Sequence, residues 1–172
     1  MFRKIRYFKP FFLFAVPFIF ILGSILHFAY DFFNQNPIVG LIVPINESIW
    51  EHTKLLFFPT VLWYTLYYFF SGKKLRPNYT QWLTSCTLSV IVGILSIPLI
   101  FYFYTEAFGI ELLIVDILIL LFSVALGQIT AHHSYIYSFS IKQYISISIL
   151  IFIAILYIIF SLFPPSLPLF SA

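Results

Sequence analysis

Two short stretches gather most of the side chains able to do chemistry in this chain. GSILHFAYDF (residues 23–32) carries Ser24, His27 and Asp31 at i, i+3 and i+7, a spacing that places them on one face of a helix. PINESIWEHTK (residues 44–54) carries Asn46, Glu47, Ser48, Glu51, His52 and Lys54. Asn46 reads as the N-cap of the helix that follows, with Glu47 at the positive end of its dipole. Glu47 and Glu51 are then four residues apart on one helix face, where like charges repel. Lys54, a bound cation or a shared proton would compensate them. His52 points about 100° away from Glu51 around the helix and is free to reach a neighbouring element. Asp116 is a further acid inside an apolar run; it is expected to turn inward, toward Lys54, His27 or His52.

Imidazoles and carboxylates together suit zinc, manganese or iron. In this reading His27, Asp31 and His52 are the candidate metal ligands, and Glu47, Glu51 and Asp116 the candidate catalytic carboxylates. Ser24, Asn46, Ser48 and Lys54 support them. The same residues could form a proton relay or a salt-bridged network that locks helices together. A compact metal motif such as H-E-x-x-H is absent from the sequence. His132 and His133 lie too far along the chain from Asp116 to share its site, about 24 Å by helical rise. They read as interfacial residues beside Tyr135 and Tyr137, or as the inner end of a proton path extended by Gln128 and Thr130.

The elements that must position these groups are unusual. Of the 172 residues, 62% are hydrophobic and 9% charged, with mean hydropathy +1.02. A soluble domain is roughly 45–50% apolar and about 25% charged, and a chain this short has too little interior to hide so much apolar surface. Disorder is excluded on the same ground. The lone Cys86 excludes an internal disulfide and reads as a small packing residue. No nucleic-acid-docking motif accompanies the basic residues. The sequence N-E-S at 46–48 and N-Y-T at 78–80 read as chance glycosylation matches.

The expected fold is all-α, a single integral membrane domain over residues 1–172. A membrane-spanning helix needs roughly 20 mostly apolar residues. Segments 10–33, 49–70, 82–104, 110–131 and 143–163 qualify as five spans, three of them holding Pro17, Pro59 or Pro98. PIVGLIVP (37–44) is too short to cross and reads as a re-entrant or interfacial segment. The N-terminus reads as an uncleaved signal anchor, and the Pro-rich tail FPPSLPLF as the stop of the last helix. With five spans, Arg3, Lys4, Arg6, Lys9, Lys73, Lys74, Arg76 and Lys142 fall on one side. The positive-inside rule makes that side cytoplasmic, so the chain is N-in and C-out in the plasma membrane and the His/carboxylate cluster faces outward. Tyr64, Tyr67, Tyr68, Trp82, Tyr102 and Tyr104 read as interfacial anchors. Ser85, Ser89, Gly93 and Ser96 form a small-residue stripe of the kind that packs helices closely in lipid.

VPINESIWEHTKLLFFP (43–59) and GSILHFAYDF (23–32) resemble the signature of an uncharacterised family of small bacterial multi-pass membrane proteins. The resemblance picks out His27, Asp31, Asn46, Glu47, Ser48, Trp50, Glu51, His52 and Lys54, and implies a shared outer site without supplying an activity. Ser24, His27, Asp31 and His52 are also similar ingredients to the Ser, Asp and His set around zinc in the membrane hydrolases that include alkaline ceramidases and adiponectin-receptor-like proteins. That fold has seven helices where five are expected here, and His132 and His133 lie at the other face. The functions left standing are a metal-dependent, hydrolase-like membrane enzyme acting on a lipid or lipid-linked substrate, a small proton- or cation-coupled transporter, and a structural or accessory membrane subunit.

Overall fold

The computed structural model describes residues 2–71 and 77–171, without the side chains of residues 2–9. Arg3, Lys4, Arg6, Lys9, Lys73, Lys74 and Arg76, on which the orientation rests, therefore lie outside the described side chains. The described residues are helical, with no strand among them. In chain order they form α1 (Phe2–His27), α2 (Ala29–Phe32), α3 (Pro37–Gly40), α4 (Ile49–Phe70), α5 (Tyr79–Phe108), α6 (Leu113–Ile136), α7 (Gln143–Leu162) and a 3₁₀ turn (Pro168–Phe170).

Among the described residues, four stretches are long and apolar enough to cross a membrane: Pro10–His27, Tyr79–Phe108, Leu113–Ile136 and Gln143–Leu162. The fifth expected span, α4, is 22 residues long but carries Glu51, His52 and Lys54 in its first turns. It compensates by burial. Glu51, Thr53, Lys54, Leu55, Leu56 and Phe57 are all nearly sealed from the surface, because α1 and α5 pack along it and α7 and the 3₁₀ turn touch it.

The first expected helix, 10–33, does not run unbroken. α1 stops at His27, Phe28 forms a turn, and α2 restarts for four residues. The chain then reverses through Asn34 and Gln35, both with positive φ (52° and 57°), closed by Gln35 N donating to Tyr30 O at 2.9 Å. Asn36 caps α3 by accepting from Ile38 N at 2.9 Å, with Pro37 at the first helical position. The segment 37–44 is thus a short helix and turn seated over the start of α4.

α4 begins later than expected. Asn46 is not its cap: Asn46 Oδ1 accepts from Ser48 N at 3.0 Å in a local turn, and Ser48 is the N-cap, accepting from Glu51 N at 3.4 Å. Glu47 therefore lies outside the helix. α5 extends beyond the expected 82–104 because Asn78 caps it at one end and Gly109, φ +64°, closes the other. The tail stops the last helix at Leu162, as expected, and then folds back, with the Phe170 ring 5.2 Å from Trp50 and 5.1 Å from Phe160.

Small residues set the helix separations. A Cβ on Gly127 of α6 would stand 2.6 Å from the Ser89 carbonyl oxygen of α5. Backbone approaches that close are why small residues line helix interfaces in lipid. Ser85, Ser89, Gly93 and Ser96 are all buried, as their stripe implied. Between these helices Tyr64 donates to Gln128 Oε1 (3.2 Å) and Gln128 Nε2 donates to Ser89 Oγ (2.7 Å), tying α4, α6 and α5.

Candidate metal centre

Where α1 ends and α4 begins, three side chains converge. His27 is the last residue of α1, Glu47 sits on the loop just before the α4 cap, and His52 is in the first turns of α4. His27 Nε2 lies 3.9 Å from Glu47 Oε1, and His52 Nε2 lies 3.3 Å from Glu47 Oε2. The imidazoles stack at 5.2 Å with 29° between their planes. One ligand atom from each residue falls within 4.8 Å of the others, so the group could hold a metal ion. Ligands bound at about 2.0–2.2 Å around one ion stand roughly 3–4 Å apart; a small side-chain rotation closes the difference.

The hydrogen bonding of His52 adds a constraint. Its Nδ1 lies 2.9 Å from Ser48 O. A carbonyl only accepts, so Nδ1 carries the proton and neutral His52 presents Nε2 as a lone pair. That lone pair faces a carboxylate oxygen. Two acceptors so placed need a proton or a cation between them. A backbone carbonyl holding the far nitrogen is the usual outer support of a metal-binding histidine.

The other expected participants sit apart. Asp31 is exposed on α2, beyond the break in α1, with Gln35 Nε2 donating to it at 3.4 Å. Glu51 turns the opposite way from Glu47 because Glu47 is not helical. Glu51 is buried and paired with Lys54 at 2.6 Å. Lys54 Nζ also donates to Gly40 O (2.8 Å), Val43 O (3.3 Å) and Ser161 Oγ (2.6 Å). Glu51 Oε2 accepts from Ile45 N (3.0 Å) and Glu51 Oε1 from Ser161 Oγ (2.9 Å). The pair thus grips the backbone at residues 40–45, and the chain runs on from there to Glu47 two residues later. Asp116 does not reach Lys54: its Oδ1 accepts from Tyr104 Oη at 2.6 Å, while the same phenol oxygen accepts from Leu112 N. Ser24 Oγ donates to Phe20 O within its own helix.

His27, Glu47, His52, Ser24 and Asp116 nevertheless share one cavity of about 570 Å³, whose other walls are largely apolar. His132 and His133 lie at the far end of α6, with their rings tilted against Phe12 (5.0 Å) and Tyr137 (4.4 Å) respectively. Ser161, more than a hundred residues from both Lys54 and Glu51, had no signal in the sequence. Tyr104 had one, its type, but reading it as an interfacial anchor hid its bond to Asp116.

No curated protein and no solved structure matches this chain. One family model matches along its whole length, residues 1–172. The chain belongs to the family described as "Family of unknown function (DUF6512)".

Proposed function

We propose that this protein is a metal-dependent, hydrolase-like membrane enzyme acting on a lipid or lipid-linked substrate at the outer face of the plasma membrane. The observation that carries the reading is His52 Nε2 held 3.3 Å from Glu47 Oε2 by the contact of its Nδ1 with Ser48 O, with His27 beside both. His27, Glu47 and His52 hold the ion in this reading. A divalent ion supplies a water acidic enough to lose its proton near neutral pH. Asp116, oriented by Tyr104, is the general base within the same cavity. Lys54 and Glu51 are positioning residues: they fix the loop that presents Glu47. The apolar walls of the cavity support a lipid substrate. In this reading α4 is the fifth span, sheltered by its neighbours, and the chain is N-in and C-out.

The test is metal content by mass spectrometry on protein purified in mild detergent without chelator. Near-stoichiometric zinc, manganese or iron is expected, falling at least tenfold in Glu47→Gln/His52→Ala. Metal-free wild-type protein that also fails to take up added zinc, manganese or iron overturns the proposal.

The buried Tyr64–Gln128–Ser89 chain favours a second reading, coupled transport of protons or cations. Proton flux in liposomes that Gln128→Leu abolishes would establish it.

A further inference from the structure

The cavity beside the candidate metal centre changes character along its depth. His27, Glu47, His52 and Asp116 lie at one end, and Leu55, Ile97, Phe101, Ile119 and Leu120 wall the rest. Leu55, Ile97 and Ile119 are among the buried core residues, so the core forms part of the cavity's lining. On α6 the lining continues from Asp116 to Leu120 and on α5 from Phe101 to Ile97, about one turn or 6 Å on each helix. The volume, about 570 Å³, lies in the range of small-molecule sites, roughly 300–1,000 Å³. At about 30 Å³ for a water-sized group it holds roughly 19 such groups, one chain and a small head rather than two chains.

The rim is two-sided. Glu47 and Glu111 are exposed on it, and so are Leu113 and Ile117, at 74% and 45%. Carboxylates favour water and exposed leucine and isoleucine favour lipid, so such a rim suits the boundary between the two. The charge is also one-sided: Glu47, Glu111 and Asp116 line the cavity, and no Lys or Arg does among the described residues. An anionic head would meet carboxylates with no cationic side chain to receive it. A head bearing hydroxyl or amide groups would donate hydrogen bonds to those same oxygens.

We propose that the cavity is the binding site for a single-chain lipid amphiphile with a non-anionic, hydrogen-bond-donating head, its chain running between Leu55, Ile97 and Leu120 and its head at Glu47 and Asp116. This deepens the enzyme reading above and rests on it for the chemistry at the head, but the cavity can be tested without the metal. Chelator-treated full-length protein in detergent is incubated with 1-monolauroylglycerol, lauroyl lysophosphatidate or dilauroylglycerol, and retained lipid is read by native mass spectrometry. At least tenfold preference for monolauroylglycerol is expected, with Leu120→Trp losing that preference while keeping wild-type metal uptake. Equal retention of the three lipids by the wild type, or unchanged preference in a folded Leu120→Trp, overturns this inference. If metal binds stoichiometrically and the lipids are not distinguished, this inference falls and the metal centre stands. If the lipids are distinguished and no metal binds, the cavity assignment stands and the metal-dependent enzyme falls.

Discussion

Lys54 is 0% exposed, and a buried ammonium is tolerable only where oxygens replace its water. Gly40 O, Val43 O, Glu51 Oε2 and Ser161 Oγ do so here. Replacing one member strands the other: Lys54→Met leaves Glu51 buried without its cation, and breaking such pairs costs about 3–5 kcal/mol. A double variant, Glu51→Leu/Lys54→Met, should recover most of that loss in detergent melting curves, because hydrophobic replacement of a buried pair is often neutral. It should still bind metal more weakly than wild type, since the loop carrying Glu47 has lost its anchors. Full metal affinity in the double variant would mean that Glu47 is positioned without the pair. The Glu51–Lys54 compensation was legible from the i, i+3 spacing; Ser161 and the two carbonyls were not, because long-range partners leave no periodic trace. At the centre itself, His27 and His52 must shed protons to bind metal. Zinc occupancy should therefore decline on acidification, as protons compete for the imidazole nitrogens; occupancy measured by equilibrium dialysis that stays flat down to pH 5 would argue against imidazole ligation.

At the scale of elements, the helix register decides which carboxylates meet. Placing the α4 cap at Asn46 put Glu47 and Glu51 on one face. With Ser48 as cap, Glu47 moves to a loop and joins His27 and His52 while Glu51 turns inward. Asn and Ser are nearly equal as caps, so the two starts could not be ranked by residue type. The break of α1 after His27 was equally hidden: Phe28 and Ala29 carry no stop signal, and the reversal is made by Asn34 and Gln35 in left-handed backbone. That break carries Asp31 away from the metal group. The helices themselves were legible because long apolar runs are the strongest signal a sequence holds. So was the Ser85–Ser96 stripe. Its fit is tight enough to test. Gly127→Leu would drive a side chain into the Ser89 backbone and should destabilise the α5–α6 pair by about 1–3 kcal/mol, seen as a lower melting temperature. An unchanged melting temperature would show that α5 and α6 can separate there at little cost.

For the whole molecule, the open question is whether α4 crosses the membrane with its neighbours. Its length is compatible with crossing: at 22 residues it is about 33 Å long, against a hydrocarbon core of about 30 Å. Its ion pair is shielded by α7 and the 40–45 loop rather than by water. If it crosses, Gln35 stands outside and Tyr79 and Ser140 inside. If it does not, Tyr79 and Ser140 share the side of Gln35. Cys86, the chain's single cysteine, is buried, so an impermeant thiol reagent should find little background on intact cells. Gln35→Cys should be labelled there, and Tyr79→Cys and Ser140→Cys only after permeabilisation. Labelling of all three on intact cells would reduce the spans to four and leave α4 as a helix enclosed on one side. Labelling of only Tyr79→Cys and Ser140→Cys would invert the chain and turn the candidate metal centre toward the cytoplasm. The measurement thus decides which compartment's water and lipid reach Glu47, and with it where any substrate must come from.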